Sequence, residues 1–299
     1  MENLRILLQA PILNLQLVVD GILVGSVYAL AAFGMALVWG VTNIVNVAQG
    51  ELVMLGGYVA VYAAAAGFHP LLAVPVAFAA LWVLGWALYR VVIWRVVDRD
   101  PFVSILATFG LGILLQQTAN QVFGANLRTA ASGLGTLLLA GGRISVAEIK
   151  LVCFAAALLL GAALTLFLSR SRLGRAIRAA SQNARAARIL GVDADRVYAE
   201  TFALNAGICG AAGALVAMTW VIHPYLGLPY TVRSFMIVVV AGLGNLLGIL
   251  AAAAFLGTAE QYAGFVLGAQ FQTGFLFSLL VAILVARSAL LKRQRRYLA

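Results

Sequence analysis

Charge is the scarcest feature of this sequence. Asp, Glu, Lys and Arg together make up 10% of 299 residues, where a soluble domain carries about 25%. Apolar residues account for 64%, and the mean hydropathy is +1.02. Even a large soluble fold leaves roughly a quarter of its chain's surface in water, so a water-soluble globule is excluded. Lysine is nearly missing: Lys150 and Lys292 are the only two. Neither follows the glycine-rich turn that a phosphate-cradling loop requires, so this chain cannot hydrolyse ATP by that route and is expected to hold no cofactor. The two cysteines, Cys153 and Cys209, lie inside apolar runs and read as small buried packing residues rather than a disulfide or metal pair. The two histidines, His69 and His223, each sit in a loop near a proline, and no metal site is expected. No nucleophile–base set or HExxH motif appears, so no catalytic residues are assigned. Glu2 and Arg5 leave no clear basic n-region, and no small-residue cleavage site follows, so the N-terminus does not read as a cleavable signal.

Long apolar runs take the place of these missing features. Candidate spans cover roughly 17–40, 50–67, 71–94, 102–123, 149–168, 200–221, 232–247, 249–267 and 272–290. Runs of about 20 residues cross a 30 Å hydrocarbon core as helices. An outer-membrane barrel would instead show about 10-residue segments alternating apolar and polar. The expected fold is an all-α polytopic membrane protein of about 8–10 transmembrane helices, a single domain over 1–299. Residues 4–19 carry Arg5, Gln9, Asn14 and Gln16 and read as an interfacial helix or a poor extra span.

The net charge of +10 would point to nucleic acid in a soluble protein. Here the basic residues fall between spans, where an excess of Lys and Arg marks cytoplasmic loops, and no nucleic acid is expected. Two clusters stand out: 169–200 (Arg170, Arg172, Arg175, Arg178, Arg185, Arg188, Arg196) and the tail (Arg287, Lys292, Arg293, Arg295, Arg296). Both share the cytoplasmic side only if an even number of crossings separates them. "VVVAGLGNLLGILAAAAFLG" (Val238–Gly257) must therefore fold as two crossings, with Gly242, Gly244 and Gly248 supplying the break. Five crossings before Ser171 would put the N-terminus outside, and six would put it inside. The pairs Gly21/Gly25, Gly244/Gly248 and Gly264/Gly268, with Gly207, Gly210 and Gly213, read as close helix contacts in lipid.

The segment "SRLGRAIRAASQNARAARILGVDADRV" (Ser171–Val197) holds six arginines in 27 residues. It reads as two short helices. Arg172, Arg175 and Arg178 share one face by their i, i+3 spacing. Asn183 caps "ARAARIL", Gly191 ends it, and Asp193 caps the next span. A positive-inside anchor needs no caps. The alternatives are a surface helix on anionic headgroups and a docking element for a soluble partner.

"GILVGSVYALAAFGMALVWGVTNIVNVAQGELVMLGGY" (Gly21–Tyr58), the arginine segment continued to Leu215, and Val238–Gly257 together resemble the Liv-type permeases of branched-chain amino acid ABC importers, specifically the H-type subunit. The resemblance covers nearly the whole chain in order. It implies a permease subunit that translocates branched-chain or other hydrophobic amino acids across the bacterial inner membrane. It implies a homologous second permease, two ATPase subunits that bind ATP and Mg, and an extracytoplasmic substrate-binding protein as partners. It also implies that 169–200 is a cytoplasmic coupling loop, in which Arg172, Leu173, Gly174, Arg175, Ala176, Asn183, Ala187, Leu190 and Gly191 contact the ATPases. At Val47–Glu51 the chain departs from the family's FAHGE-like pattern, which leaves the role of Gln49 open.

Polar residues within spans are costly and mark candidate pathways. Thr42, Asn43, Asn46, Gln49 and Glu51 form the richest cluster and read as a broken or re-entrant segment, tolerated where protein or water satisfies the backbone. Gln116, Gln117, Asn120, Asn205 and Glu260–Gln261 are further candidates for the path, with inter-helix hydrogen bonding as the competing role. No dense charged relay appears, although Asp20 and Glu260 keep an ion-coupled secondary transporter open as an alternative. A non-transporting membrane scaffold is a third reading.

Overall fold

The computed structural model describes residues 7 and 9–296 apart from 98, 140–143, 243 and 244, with the side chains of 269, 273 and 287–296 also undescribed. Its first helix, α1 (Pro11–Thr42), is 32 residues, or about 48 Å at 1.5 Å per residue, longer than a hydrocarbon core. Residues 11–19 are therefore the first turns of α1 rather than a separate interfacial helix. Pro11 opens the helix, and Asn43 in the left-handed conformation (φ 55°) closes it.

The chain then forms α2 (Gln49–Ala65), α3 (Ala73–Val91), α4 (Pro101–Phe123), α5 (Glu148–Arg170), α6 (Arg172–Gln182), α7 (Ala184–Ile189), α8 (Ala194–Thr219), α9 (Gly227–Ala241), α10 (Leu246–Leu267) and α11 (Gln272–Arg296). Between α4 and α5, β1 (Thr136–Leu139) pairs antiparallel with β2 (Ile144–Ala147), Thr136 opposite Ala147. Apolar periodicity gives no sign of this hairpin, the only sheet among the described residues of an otherwise helical protein.

The helix order can be oriented from side-chain neighbours. Gly21 and Gly25 lie on Thr258 and Ala253, so α1 and α10 are antiparallel. Gln49 meets Asn205 and Gly213 meets Val53, so α2 and α8 are parallel. Gly85 rests on Ala206, and Gly210 rests on Ala77 and Leu81, so α3 runs against α8. Tyr28 touches Tyr230 and Trp39 stacks on Phe235, so α1 and α9 are parallel. One end of the bundle thus gathers the 92–100 loop, α6, α7, the α9–α10 turn and the basic end of α11. The hairpin, the start of α1 and the loop after α2 lie at the other. The positive-inside rule predicts that the first end is cytosolic, and the five helices before Ser171 would then put the start of α1 outside.

Inside and outside helices differ sharply. In α1 and α8, 94% of the most apolar stretch is buried, whereas in α4 and α5 the share is 28% and 22%. The first pair forms the core, and the second offers apolar faces to lipid or to partner subunits. Small residues allow this packing: a Cβ on Gly213 would overlap the Val53 carbonyl and stand 2.7 Å from the Gly57 nitrogen. The break expected after Val238 is present. Gly242 (φ 82°) ends α9, and Asn245 caps α10 by accepting from the Gly248 amide at 2.9 Å. Gly248 thus lies within the first turn of α10 rather than in the break, and Gly244 lies outside the described residues. Gly268 (φ 92°) caps the end of α10 rather than packing as the partner of Gly264.

Candidate translocation path and coupling surface

Two helices begin inside the bundle. After α1, residues 43–48 turn back from the basic end, and α2 starts where Gln49, Gly50 and Glu51 are all buried. After α8, residues 220–226 turn back from the hairpin end, and α9 starts at Gly227, against the Glu51 carboxylate. From this meeting point α2 runs to the hairpin end and α9 runs to the basic end. Irregular backbone at membrane depth must be satisfied by protein, and two threonines do this. The Thr108 hydroxyl accepts from the Val47 amide at 3.2 Å. The Thr231 hydroxyl accepts from the Gly50 amide at 2.8 Å and donates to the Val47 carbonyl at 3.1 Å. Glu51 sits at the N-terminal turns of both α2 and α9, where the helix dipoles favour an anion.

The polar residues singled out in the sequence do not form one line. Thr42 bonds back to the Val38 carbonyl at 2.9 Å, and Asn43 is exposed at the end of α1. Asn46, Gln49 and Asn205 are fully buried in one knot. The Gln49 amide donates to the Ala31 carbonyl (2.8 Å) and to Asn205 Oδ1 (2.9 Å), and lies 3.0 Å from Cys209 Sγ. Gln49 thereby ties α2 to α1 and α8. Gln116 and Asn120 are half-buried on α4, and Asn120 reaches Tyr225 only at 3.5 Å. Cys153 and Cys209 are free and buried in the core, as expected from their apolar runs.

Glu260 belongs to a different place. It pairs through both carboxylate oxygens with Arg233 on α9, Nε lying 3.1 Å from Oε2 and a terminal nitrogen bonding Oε1. The Arg233 guanidinium lies 5.0 Å from the Tyr28 ring centroid, and Tyr28 meets Tyr230 edge to face. The pair borders a cavity of about 540 Å³ towards the hairpin end, walled by α1, α9, α10 and the 220–226 turn. Arg233 was missed in the sequence although its signal was there: it is the only lysine or arginine between Arg196 and Arg287, and it stands beside an apolar run.

At the basic end, α6 and α7 form the arginine segment. Ser171 caps α6 by accepting from Gly174 at 2.7 Å, Asn183 caps α7 by accepting from Ala186 at 3.0 Å, and Asp193 caps α8 by accepting from Arg196 at 3.0 Å. Gly191 adopts φ 84°, and the Val192 amide donates to the Ala187 carbonyl at 3.0 Å. Arg172, Arg175 and Arg178 are exposed along α6, while Gly174, Ile177 and Ala180 face the bundle. Arg175 and Arg178 also donate to the Arg170 and Ser169 carbonyls (2.9 and 3.2 Å) at the end of α5, where a cation suits the helix dipole. Of the other residues singled out, Leu173 and Ala176 are half-buried and Ala187 is buried. Ile189 and Leu190 are 81% and 83% exposed. A cleft of about 660 Å³ separates this segment from the 92–97 turn, with Arg188 and Asp195 facing Trp94 and Arg95.

Over residues 17–286 the sequence matches the family described as "Branched-chain amino acid transport system / permease component". It is 29% identical over 291 residues to the high-affinity branched-chain amino acid transport system permease protein LivH of Escherichia coli K12, covering 91% of this chain and 92% of that protein. It is 30% identical over 287 residues to BraD of Pseudomonas aeruginosa PAO1, a permease protein of the same description, covering 91% and 94%. A probable branched-chain amino acid transport permease protein LivH of Methanocaldococcus jannaschii is 26% identical over 284 residues, covering 92% and 90%. No solved structure matches the chain. The match takes in all of α2 to α10, most of α1, the first part of α11 and the arginine segment, and the chain belongs to this family of branched-chain amino acid transport permease components.

Proposed function

We propose that the chain is the membrane-spanning permease subunit of an ATP-binding cassette importer that moves branched-chain or other hydrophobic amino acids across the bacterial inner membrane. ATP hydrolysis is supplied by two separate ATPase subunits. A homologous permease completes the membrane pathway, and an extracytoplasmic protein delivers substrate. The observation that carries this reading is the α6–α7 surface: three arginines on one face, then two large apolar residues more than four-fifths exposed, on short helices capped at each end. Exposed apolar residues on a rigid, basic element fit a protein partner, since apolar patches rimmed by polar residues mark interaction sites. The names of the relatives supply the substrate class.

The acids that left ion coupling open are engaged. Asp20 pairs with Lys150 at 2.7 Å, and Glu260 pairs with Arg233. Affinity purification of the tagged chain after co-expression with the neighbouring ATPase genes tests the reading. The ATPases are expected to copurify in a manner that Ile189→Ser/Leu190→Ser abolishes. Undiminished copurification of that variant would remove α6–α7 as the coupling surface.

A further inference from the structure

The Arg233–Glu260 pair has no structural need that simpler residues could not meet. A buried ion pair seldom gains stability over apolar residues of similar volume, because both ions lose their water. Charged residues kept inside a membrane protein therefore call for a functional account with a named partner. This pair also faces open space. The side chains are 15% and 7% exposed onto the 540 Å³ cavity, within the range of about 300–1,000 Å³ usual for small-molecule sites. The wall divides chemically. Val24, Leu127, Trp220, Val221 and Leu226 supply apolar surface, His223, Gln261 and Gln272 add polar groups, and the cation and the anion lie side by side next to the Tyr28 and Tyr230 rings.

We propose that the Arg233–Glu260 pair is a transit site for the zwitterionic end of a neutral α-amino acid, Arg233 taking its carboxylate and Glu260 its ammonium, with the side chain against the apolar wall. In the empty state each residue serves as the other's counter-ion. When a zwitterion arrives, both residues exchange partners and the net charge of the buried site is unchanged. Arg favours this because its planar fork binds a carboxylate through two parallel hydrogen bonds. A carboxylic acid without the ammonium, or an amine without the carboxylate, would leave Glu260 or Arg233 unpaired in a poorly solvated site. The site thus selects the shared headgroup of amino acids, while side-chain choice falls to shape.

This inference rests on the transport reading above. Its test is uptake of radiolabelled leucine by the complete complex in proteoliposomes, with ATP inside and saturating leucine-loaded binding protein outside. Two charge-balanced variants leave no unpaired charge: Arg233→Gln/Glu260→Gln and the swap Arg233→Glu/Glu260→Arg. Each is expected to assemble with its partners by size-exclusion chromatography and to lose roughly tenfold or more of the maximal uptake rate, since small misplacements of binding groups cost up to about a hundredfold. A purely structural pair predicts instead that the swap restores uptake. Glu260→Asp keeps the charge but withdraws the carboxylate by one methylene, and provides a milder variant expected to slow uptake at least about threefold. Wild-type rates in the swap or in Glu260→Asp would overturn the transit site while leaving the transport reading in place. A wild-type complex that carries no leucine, isoleucine or valine would overturn the transport reading, and the transit site with it.

Discussion

Gly191→Val isolates the coupling surface from the rest of the fold. Gly191 holds φ 84°, and a Cβ there would meet nothing within 4 Å, so the substitution introduces no clash. Its cost is conformational: a β-branched residue is disfavoured at positive φ, by on the order of 1–3 kcal/mol. The six-residue α7 has little length in which to absorb that cost, and the Ala187–Val192 and Arg188–Gly191 backbone bonds that close its end span the substituted position. The population holding Ile189 and Leu190 in the observed position should fall by roughly 5- to 150-fold at 1.4 kcal/mol per tenfold. Because Gly191 is exposed and outside the spans, the variant should insert and purify normally. It should then show weakened ATPase association by pull-down and depressed substrate-stimulated hydrolysis in the reconstituted complex. Gly191→Asn is the control, since Asn tolerates the left-handed region, and it should retain most coupling. Wild-type coupling in Gly191→Val would refute the assignment of α6–α7 to ATPase docking. Altered insertion or topology in Arg175→Glu/Arg178→Glu with silent Gly191→Val would favour a headgroup anchor.

Other consequences are open to measurement. Gly213→Ala forces a Cβ onto the Val53 carbonyl and should cost about 1–3 kcal/mol through overpacking, read as a lower thermal midpoint in detergent. Gln49→Leu removes the hydrogen bonds to Asn205 Oδ1, which keeps the Cys209 thiol at 3.6 Å, and to the Ala31 carbonyl, and should destabilise by about 1–3 kcal/mol for the two bonds, again seen in the melt. Ser181→Cys should resist an impermeant maleimide added to intact cells while Leu138→Cys in the hairpin reacts, and background should be low because Cys153 and Cys209 are buried. External labelling of Ser181→Cys would invert the topology.

The sequence made the helices legible where lipid dictates composition. Spans, the Gly242 break, the caps at Asn183 and Asp193, and the left-handed Gly191 all follow from local rules that tertiary contacts did not overturn. The re-entrant turn before α2 was legible as a polar cluster, because backbone at that depth needs polar partners. Which partners was not legible: Thr108 and Thr231 lie 61 and 181 residues from the amides they accept from, a separation beyond any local pattern. Gln49, Asn205 and Glu260 each stood out as an intramembrane polar residue. Only the fold shows that the first two close a packed knot and the third borders a cavity with Arg233. The start of α9 was misplaced by five residues, since Gly227 and Pro229 in its first turn read as loop residues, although proline is tolerated in a helix's first turn. The hairpin was hidden because four-residue strands outside the bundle leave no periodic mark.

Energy coupling separates a permease subunit from a transporter acting alone. Proteoliposomes carrying this chain by itself, and others carrying it with the second permease and the ATPases, can be compared for leucine uptake under imposed proton or sodium gradients and under internal ATP with loaded binding protein. Uptake against a gradient is expected only in the complete complex and only with ATP. Accumulation by the lone chain, driven by either ion gradient, would contradict the ATP-binding cassette reading.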